Sequence, residues 1–555
     1  MAKIITNLFH GGGAAATSPP HVTIHRRLPP AGGAGAGAAI VVDVEGALLL
    51  LRSSSLSSSL FPYFMLVAVE AGSFLRCLTL LLLYPFISLV AGAAAAGEDA
   101  AVRAMAFVAF FGLRESRFRA GPAVLPRWLL DAVAKESLDA ITPRRTSPPE
   151  TSPAAARRRV IWVSRMPRVM VEPLLREYLT SSSEEVVVVT REMKVVWGFY
   201  TGVMEDFAGD GGGEVESPEV RKVMEGVGGG DVIGFSGGSS MGFLRSSLVS
   251  LCKEVYVVSN EEKSKWRPLP RREYPRPLIF HDGRLTFLPT PLATAAMLVW
   301  LPFGATLVVV RLTIAFFLPY CLATLLLAAT GTSWRLRGTP PPPPPRSTGN
   351  NKQRGQLYVC NHRTLIDPVY ISIVLDRPVR AVSYSLSRLS DLLSPIGATV
   401  RLRRDRAHDS AAMAHLLDDE GVHVVVCPEG TTCREPYLLR FSPLFAEMGD
   451  TVVPVALTTE TSMFHGTTAG GWKSMDALCY LANPRTCYTL EFLAAVDTTP
   501  VREGRMASTE LANDVQRRLA ETLGYECTML TRKDKYHVLA GNDGVIRRHC
   551  RDTAK

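Results

Sequence analysis

Leu357-Tyr-Val-Cys-Asn-His-Arg-Thr-Leu-Ile-Asp-Pro368 decides how the 555-residue chain is read. Its apolar start, Leu357 to Cys360, predicts a short buried strand, and Pro368 directly after Asp367 suits the first turn of a helix through Val369 to Leu375. His362 and Asp367 then fall at a strand end and a helix start. A carboxylate so placed, across a tight turn, can accept from one ring nitrogen and leave the other free to take a proton. No Ser or Cys stands beside this base in a recognisable elbow, so the substrate would supply the hydroxyl. The plainer alternative is a loop histidine followed by an aspartate that caps the next helix.

Three later stretches favour the chemical reading. Thr399-Val-Arg-Leu-Arg-Arg-Asp-Arg406 follows Pro395-Ile-Gly-Ala398, and after it come Val422-His-Val-Val-Val-Cys-Pro-Glu-Gly-Thr431 and Val452-Val-Pro-Val-Ala456. Apolar runs near Leu357, Val379, Thr399, Val422 and Val452 alternate with helical patterns around Val369, Leu386 and Ala411, which predicts an α/β domain with a largely parallel sheet. Each motif lies just past a strand, where such sheets hold their ligands. Arg401, Arg403, Arg404 and Arg406 offer the forked donors that phosphate takes. A strand would place Arg401 and Arg403 on one face, and a solvated basic rim is the alternative for any one of them. The turn Cys427-Pro-Glu-Gly-Thr-Thr432 exposes backbone N–H groups to an anion.

In this order, the four blocks resemble the glycerolipid acyltransferases, which transfer acyl groups from acyl-CoA to a glycerol hydroxyl. With the N-terminal region described below, the whole chain resembles the land-plant glycerol-3-phosphate acyltransferases of cutin, suberin and pollen-wall synthesis. The resemblance implies His362 as general base with Asp367 holding the imidazole. It also implies glycerol phosphate contacts from Glu429, Gly430 and an arginine, either Arg401 or Arg404. Acyl-CoA and glycerol 3-phosphate would be the substrates, sn-2 the acylated hydroxyl, with no cofactor and no metal. The family commonly has Phe or Tyr where Cys427 stands.

Composition agrees. Hydrophobic residues make up 47% and mean hydropathy is +0.13, high for a soluble enzyme, so bilayer contact is expected. A net charge of +9 suits anionic partners such as phosphate groups, CoA or a cytosolic leaflet. Nucleic acid is not expected, because the basic residues are not interleaved with aromatics and no binding motif is present. The 10 Cys show no Cys-x2-Cys pair or zinc spacing, which fits reduced thiols facing the cytosol.

Ahead of the acyltransferase blocks, Ala39-Ile-Val-Val-Asp43-Val-Glu45-Gly46-Ala47 reads as a buried strand ending in an acidic loop. It resembles the Asp-x-Asp-Gly-Thr motif of haloacid dehalogenase phosphatases, with Asp43 at the nucleophile and Glu45 in place of the general acid. Val160-Ile-Trp-Val-Ser164 would be the second motif. The last would follow Asp231-Val-Ile-Gly234, but Phe235-Ser-Gly-Gly-Ser239 carries neither acid, and a hard cation needs those carboxylates. The expected product is therefore lysophosphatidate with its phosphate retained. The alternatives are a bifunctional acyltransferase/phosphatase giving monoacylglycerol and a catalytically silent membrane scaffold.

Two apolar regions predict membrane-embedded helices. Phe74 to Val90 could cross or dip into a ~30 Å hydrocarbon layer, with Arg76 near its start. Leu292 to Thr330 carries Arg311 in its middle, plus Pro302 and Pro319. Arg311 would sit either at a turn between two helices of about nineteen residues or in the polar surroundings of a re-entrant hairpin. Trp334-Arg-Leu-Arg337, Lys352 and Arg354 would lie beside anionic lipid.

The expected organisation begins with a disordered tail over 1–38 and a haloacid-dehalogenase-like domain over 39–290, with a membrane segment at about 61–97. A membrane hairpin over 291–331 and a proline-rich basic linker over 332–356 follow. The acyltransferase domain spans 357–502 and a C-terminal segment 503–555. The endoplasmic reticulum membrane is the expected location, with a mitochondrial membrane as the alternative raised by Arg26 and Arg27 in an acid-free N-terminal segment.

Overall fold

The computed structural model describes residues 23–25, 28–29, 39–51, 55–93, 97–142, 158–180, 184–205, 232–237, 252–342, 354–383, 399–401, 406–471 and 474–544. Outside them lie Arg26, Arg27, Asp231, Ser239, Lys352, Leu386, Arg403, Arg404, most of the N-terminal tail, most of the stretches 142–159 and 205–230, and the second half of the proline run 340–345. Two compact units emerge: Met1–Ser59, Leu129–Lys194 and Val203–Arg276 form one, and Leu60–Trp128, Val195–Gly202 and Pro277–Lys555 the other.

In the first unit, β1 (Thr23–His25), β2 (Ala39–Asp43), β3 (Arg158–Pro167), β4 (Glu184–Arg191), β7 (Val232–Gly237) and β8 (Glu254–Val258) form a parallel sheet in the order β1-β8-β7-β2-β3-β4. A separate pair, β5 (Met193–Val196) and β6 (Phe199–Met204), falls between β4 and β7 in sequence. Every residue of β2 and β7 is buried, as strands covered on both faces require. From β2 the chain steps outward to β3 and β4, then returns to the other side at β7. Asp43 therefore ends the strand beside the reversal point, where sheets of this kind open a crevice. Phe235 lies within β7, because the strand runs on to Gly237.

The second unit's main sheet contains β9 (Thr332–Arg337), β10 (Leu357–Cys360), β11 (Val379–Ser383), β12 (Val400–Arg401), β13 (His423–Val426), β15 (Thr451–Thr461), β16 (Thr486–Phe492) and β17 (Val496–Asp497). Its order is β12-β11-β13-β10-β15-β16-β9, with β17 on β15. A small parallel pair joins β14 (Tyr437–Leu438) to β18 (Glu526–Cys527). β10 is central, parallel to β13 on one side and β15 on the other, while β16 and β17 pair antiparallel with β15. Thr332–Arg337, read from sequence as the start of a linker, is an edge strand parallel to β16.

Alternation along β10 sends Leu357 and Val359 into one apolar layer and Tyr358 and Cys360 into the other. The helix Ser508–Leu523 covers the first layer with Leu511, Ala512, Val515, Leu519 and Ala520, the stripe a 3.6-residue period dictates. Each of its fully buried aliphatic side chains is worth about 1.5–3 kcal/mol. Gly524, at φ 66°, ends that helix in the left-handed conformation that glycine adopts without strain.

The apolar region 61–97 divides in two. Within the second unit, Leu60, Phe61, Phe64, Met65 and Leu66 are fully buried, whereas Phe74–Ala93 is a 20-residue helix with Leu75 73% and Leu89 72% exposed. At 1.5 Å per residue that helix is about 30 Å long. It and the 27-residue helix Pro291–Phe317 are long and apolar enough to cross a membrane. Arg76 donates to the Ala109 and Phe111 carbonyls at 3.1 and 2.8 Å, closing the last turn of the helix Gly97–Phe110.

Arg311 departs from the first sequence expectation. No turn forms there: the helix runs unbroken from Pro291 to Phe317, and the break comes at Pro319, which cannot extend it. The buried guanidinium instead donates to the Leu481 and Asn483 carbonyls at 2.6 and 2.8 Å, to the Thr330 carbonyl at 2.6 Å and to Thr330 Oγ1 at 3.0 Å. Leu481 ends the helix Ser474–Leu481, whose orphan carbonyls attract a cation. Thr330 closes the short helix Tyr320–Ala329, so one side chain ties three helix segments together.

Candidate active site

At the end of β10, Asn361 exchanges two hydrogen bonds with the backbone of Leu457, from Nδ2 to the carbonyl at 2.9 Å and from the Leu457 amide to Oδ1 at 2.8 Å. This fixes the point at which the chain leaves the sheet. His362 follows, its amide donating to Glu429 Oε1 at 2.7 Å and its carbonyl accepting from Cys433 N at 2.9 Å.

His362 Nδ1 lies 3.0 Å from Asp367 Oδ2. Asp367 opens the helix Asp367–Leu375 and is wholly buried. Its carboxylate also accepts from Arg363 N at 2.6 Å, Thr364 N at 2.9 Å, Thr364 Oγ1 at 3.1 Å and Tyr488 OH at 2.8 Å. A buried carboxylate with this many donors is held in one orientation. Tyr488 comes from β16 and stacks on Tyr370 with centroids 3.8 Å apart. Burial and the neighbouring Asp367 push its hydroxyl well above the usual tyrosine range, so it stays a donor.

Burial alone would lower the affinity of His362 for a proton, but Cys427 and Asp367 outweigh it and hold the imidazole well above its usual range. Cys427 is pulled down to about 6, first by the hydrogen bond from Cys360, against burial, and then by His362. Cys360 keeps its proton and is pushed up by the same contact; the two sulfurs are 3.5 Å apart.

Glu429 and Gly430 sit in the turn after β13, beside His362. Both oxygens of Glu429 face backbone amides, Oε1 that of His362 and Oε2 that of Leu439 at 2.9 Å, and burial pushes the carboxyl up to about 7. Gly430 turns with φ 64°, and no atom lies within 4 Å of the position a Cβ would take. Lys535 Nζ donates to Thr432 O at 2.5 Å and Thr432 Oγ1 at 3.0 Å, while Arg363 binds the carbonyls of Cys433, Arg434 and Glu435 at 2.6–3.0 Å. Arg401 ends the edge strand β12, two strands away from β13, and Arg404 lies outside the described residues.

Sequence reasoning thus reached His362, Asp367, Glu429 and Gly430, which the fold brings together. It missed Asn361, Thr364, Tyr488 and Lys535. Asn361 and Thr364 stood in the quoted stretch, with side chains that commonly hydrogen-bond nearby backbone. Nothing local marks Tyr488 or Lys535.

In the first unit, Gly46 N donates to Asp43 Oδ1 at 2.9 Å, and Glu45 Oε1 accepts from Ser164 Oγ at 2.5 Å and Arg165 N at 3.1 Å. Lys263 Nζ reaches the Glu45 carbonyl at 3.2 Å. Burial first, and the charge of Asp43 second, raise the Glu45 carboxyl. Among the described residues, Asp43 Oδ2 and Glu45 Oε2 are buried without a hydrogen-bond partner. The end of β7 presses on this loop: a Cβ on Gly237 would meet the Gly46 carbonyl at 2.5 Å.

These features define two kinds of domain on one chain. Residues 39–258 match the family model of the glycerol-3-phosphate acyltransferase RAM2-like, HAD-like domain, and residues 345–458 match an acyltransferase model. A probable glycerol-3-phosphate acyltransferase 2 from Arabidopsis thaliana is 43% identical over 499 residues, covering 89% of this chain and 88% of its own. Glycerol-3-phosphate acyltransferase RAM2 of Petunia hybrida is 38% identical over 498 residues, 88% of this chain and 95% of its own. The solved PlsC acyltransferase of Thermotoga maritima aligns with 41% of this chain and 90% of its own at 16% identity and a TM-score of 0.24. The chain belongs to the plant glycerol-3-phosphate acyltransferases.

Proposed function

We propose that the protein transfers an acyl group from acyl-CoA to the sn-2 hydroxyl of glycerol 3-phosphate and releases lysophosphatidate. The family supports the reaction class; the single observation that carries the mechanism is His362 Nδ1 held 3.0 Å from a fully buried, hydrogen-bonded Asp367. That contact leaves Nε2 as the proton acceptor. His362 takes the proton of the glycerol hydroxyl as its oxygen attacks the thioester carbon. The tetrahedral intermediate then collapses, the C–S bond breaks, and the proton passes to the departing CoA thiolate. Asp367 orients the ring and stabilises the imidazolium, and Tyr488 and Thr364 orient Asp367.

Glu429 acts as a positioning residue, since its oxygens brace the His362 and Leu439 amides, while Gly430 and an arginine of the 401–406 block, Arg401 or Arg404, meet the phosphate. The residues 39–290 form a phosphatase-like domain whose chemistry is lost. Residues 291–331 and Phe74–Ala93 attach the enzyme to a membrane, that of the endoplasmic reticulum, on a route to cutin, suberin, pollen-wall or other glycerolipids. The test is acyl transfer by purified protein across a panel of acyl-CoAs, with product regiochemistry. CoA release from none of them in the presence of glycerol 3-phosphate would refute the proposal.

A further inference from the structure

The sulfurs of Cys360 and Cys427 belong to no step of that mechanism, yet they lie against its base. β10 and β13 are parallel neighbours with Val359 opposite Val426, so the next residues, Cys360 and Cys427, emerge side by side where both strands end. Their sulfurs are 3.5 Å apart. One ring nitrogen of His362, one Asp367 oxygen and Cys427 Sγ all lie within 4.8 Å of one another. Cys360 is buried, and Cys427 is partly open to solvent.

This is the spacing of a chelate. Around a tetrahedral Zn²⁺ with bonds of about 2.3 Å to sulfur and about 2.0 Å to nitrogen, two sulfurs sit about 3.8 Å apart and sulfur and nitrogen about 3.5 Å. From 3.5 Å, the two sulfurs need separate by only about 0.3 Å to reach the first of these spacings. Two thiolates and an imidazole are a soft set that selects zinc or cadmium over magnesium or calcium.

We propose that Cys360, Cys427 and His362 form an inhibitory site for a soft divalent cation. The metal displaces the thiol protons and occupies a ring nitrogen of the proposed general base, so acyl transfer stops while the metal is bound. The inhibitory consequence rests on the acyltransferase reading; the metal site itself does not.

The experiment uses the full chain in detergent, stripped of metal with EDTA and titrated with Cd²⁺ while the ultraviolet thiolate-to-cadmium charge-transfer band is followed. One Cd²⁺ per chain is expected, with acyl transfer lost over the same concentration range and recovered on adding EDTA. Cys427→Phe and Cys427→Ser should each weaken Cd²⁺ binding more than about tenfold, since even second-shell losses cost about that much, and both should remain active. Cys360→Ala should weaken it too. A chain inactive in acyl transfer that still shows the band would support the site and count against the acyltransferase reading. Absence of the band in the unmodified chain, a band and inhibition unchanged in both Cys427 variants, or inhibition relieved by dithiothreitol but not by EDTA would each overturn the proposal.

Discussion

Removing Asp367 or His362 should reveal whether the two act as one device. Asp367 accepts from His362 Nδ1, Arg363 N, Thr364 N, Thr364 Oγ1 and Tyr488 OH. Asp367→Ala therefore does two things. It removes the charge that orients and stabilises the imidazolium, a loss of about 10² to 10⁴ in rate, or about 3 to 5 kcal/mol at 1.36 kcal/mol per tenfold. It also orphans buried donors, each costing about 1–3 kcal/mol of stability. His362→Ala removes the proton acceptor while leaving the other donors on Asp367, so it should lose the same order of rate at little cost to the fold. The double variant should be scarcely slower than the worse single one, because groups acting as a unit lose their joint contribution once. Initial rates of CoA release at saturating glycerol 3-phosphate, with a thermal melt of each variant, separate the two effects. Full activity in His362→Ala, or losses that multiply in the double variant, would refute the reasoning.

Other outcomes follow from the same geometry. With His362 held above its usual range, the acid limb of the rate profile should lie above pH 6.5, because the base works only when neutral; Cys427→Phe removes an upward influence and should move that limb to lower pH. Unchanged profiles of initial rate against pH would count against Cys427 as a cause. Arg311→Met leaves the Leu481, Asn483 and Thr330 carbonyls without their donor and should cost on the order of 3 kcal/mol, read as a lower melting temperature in detergent. The protein should stay with membranes through high salt and alkaline carbonate and leave only with detergent, whereas release by salt alone would assign the attachment to basic surface charge. Asp43→Asn should leave the product unchanged as lysophosphatidate; early monoacylglycerol that disappears in this variant would show a live phosphatase site.

What was legible depended on whether the determining contacts are local. β10, β11, β13 and β15 stood out as apolar runs, and their parallel pairing followed from the helices between them. His362 and Asp367 are five residues apart, so one turn joins them. Tyr488 is 121 residues from its partner Asp367, and it reaches that carboxylate only because β16 lies beside β15. Leu60–Leu66 and Phe74–Ala93 are alike in composition, yet one is buried and the other mostly exposed; hydropathy reports what a segment tolerates, and packing decides what covers it. A lone charge in an apolar run is costly, so the sequence admits for Arg311 either a turn or polar surroundings within the fold; three carbonyls and a hydroxyl from distant segments supply the second without a break.

In the first unit, Asp43 and Glu45 are buried at the crevice end of β2, and among the described residues each has one oxygen without a hydrogen-bond partner. Two carboxylates this close repel unless a cation lies between them or one is protonated. Burial first, and the charge of Asp43 second, raise the Glu45 carboxyl, while Ser164 and the Arg165 amide hold its other oxygen. Lys263 Nζ donates to the Glu45 carbonyl at 3.2 Å. Across the crevice, Gly237 stands so close to Gly46 that a side chain there would collide with backbone. With Phe235 and Ser239 where metal-binding acids would stand, an entering phosphate dianion would meet the Asp43 charge in a low-dielectric pocket, which is the basis for expecting the phosphate to leave the enzyme still on the lipid.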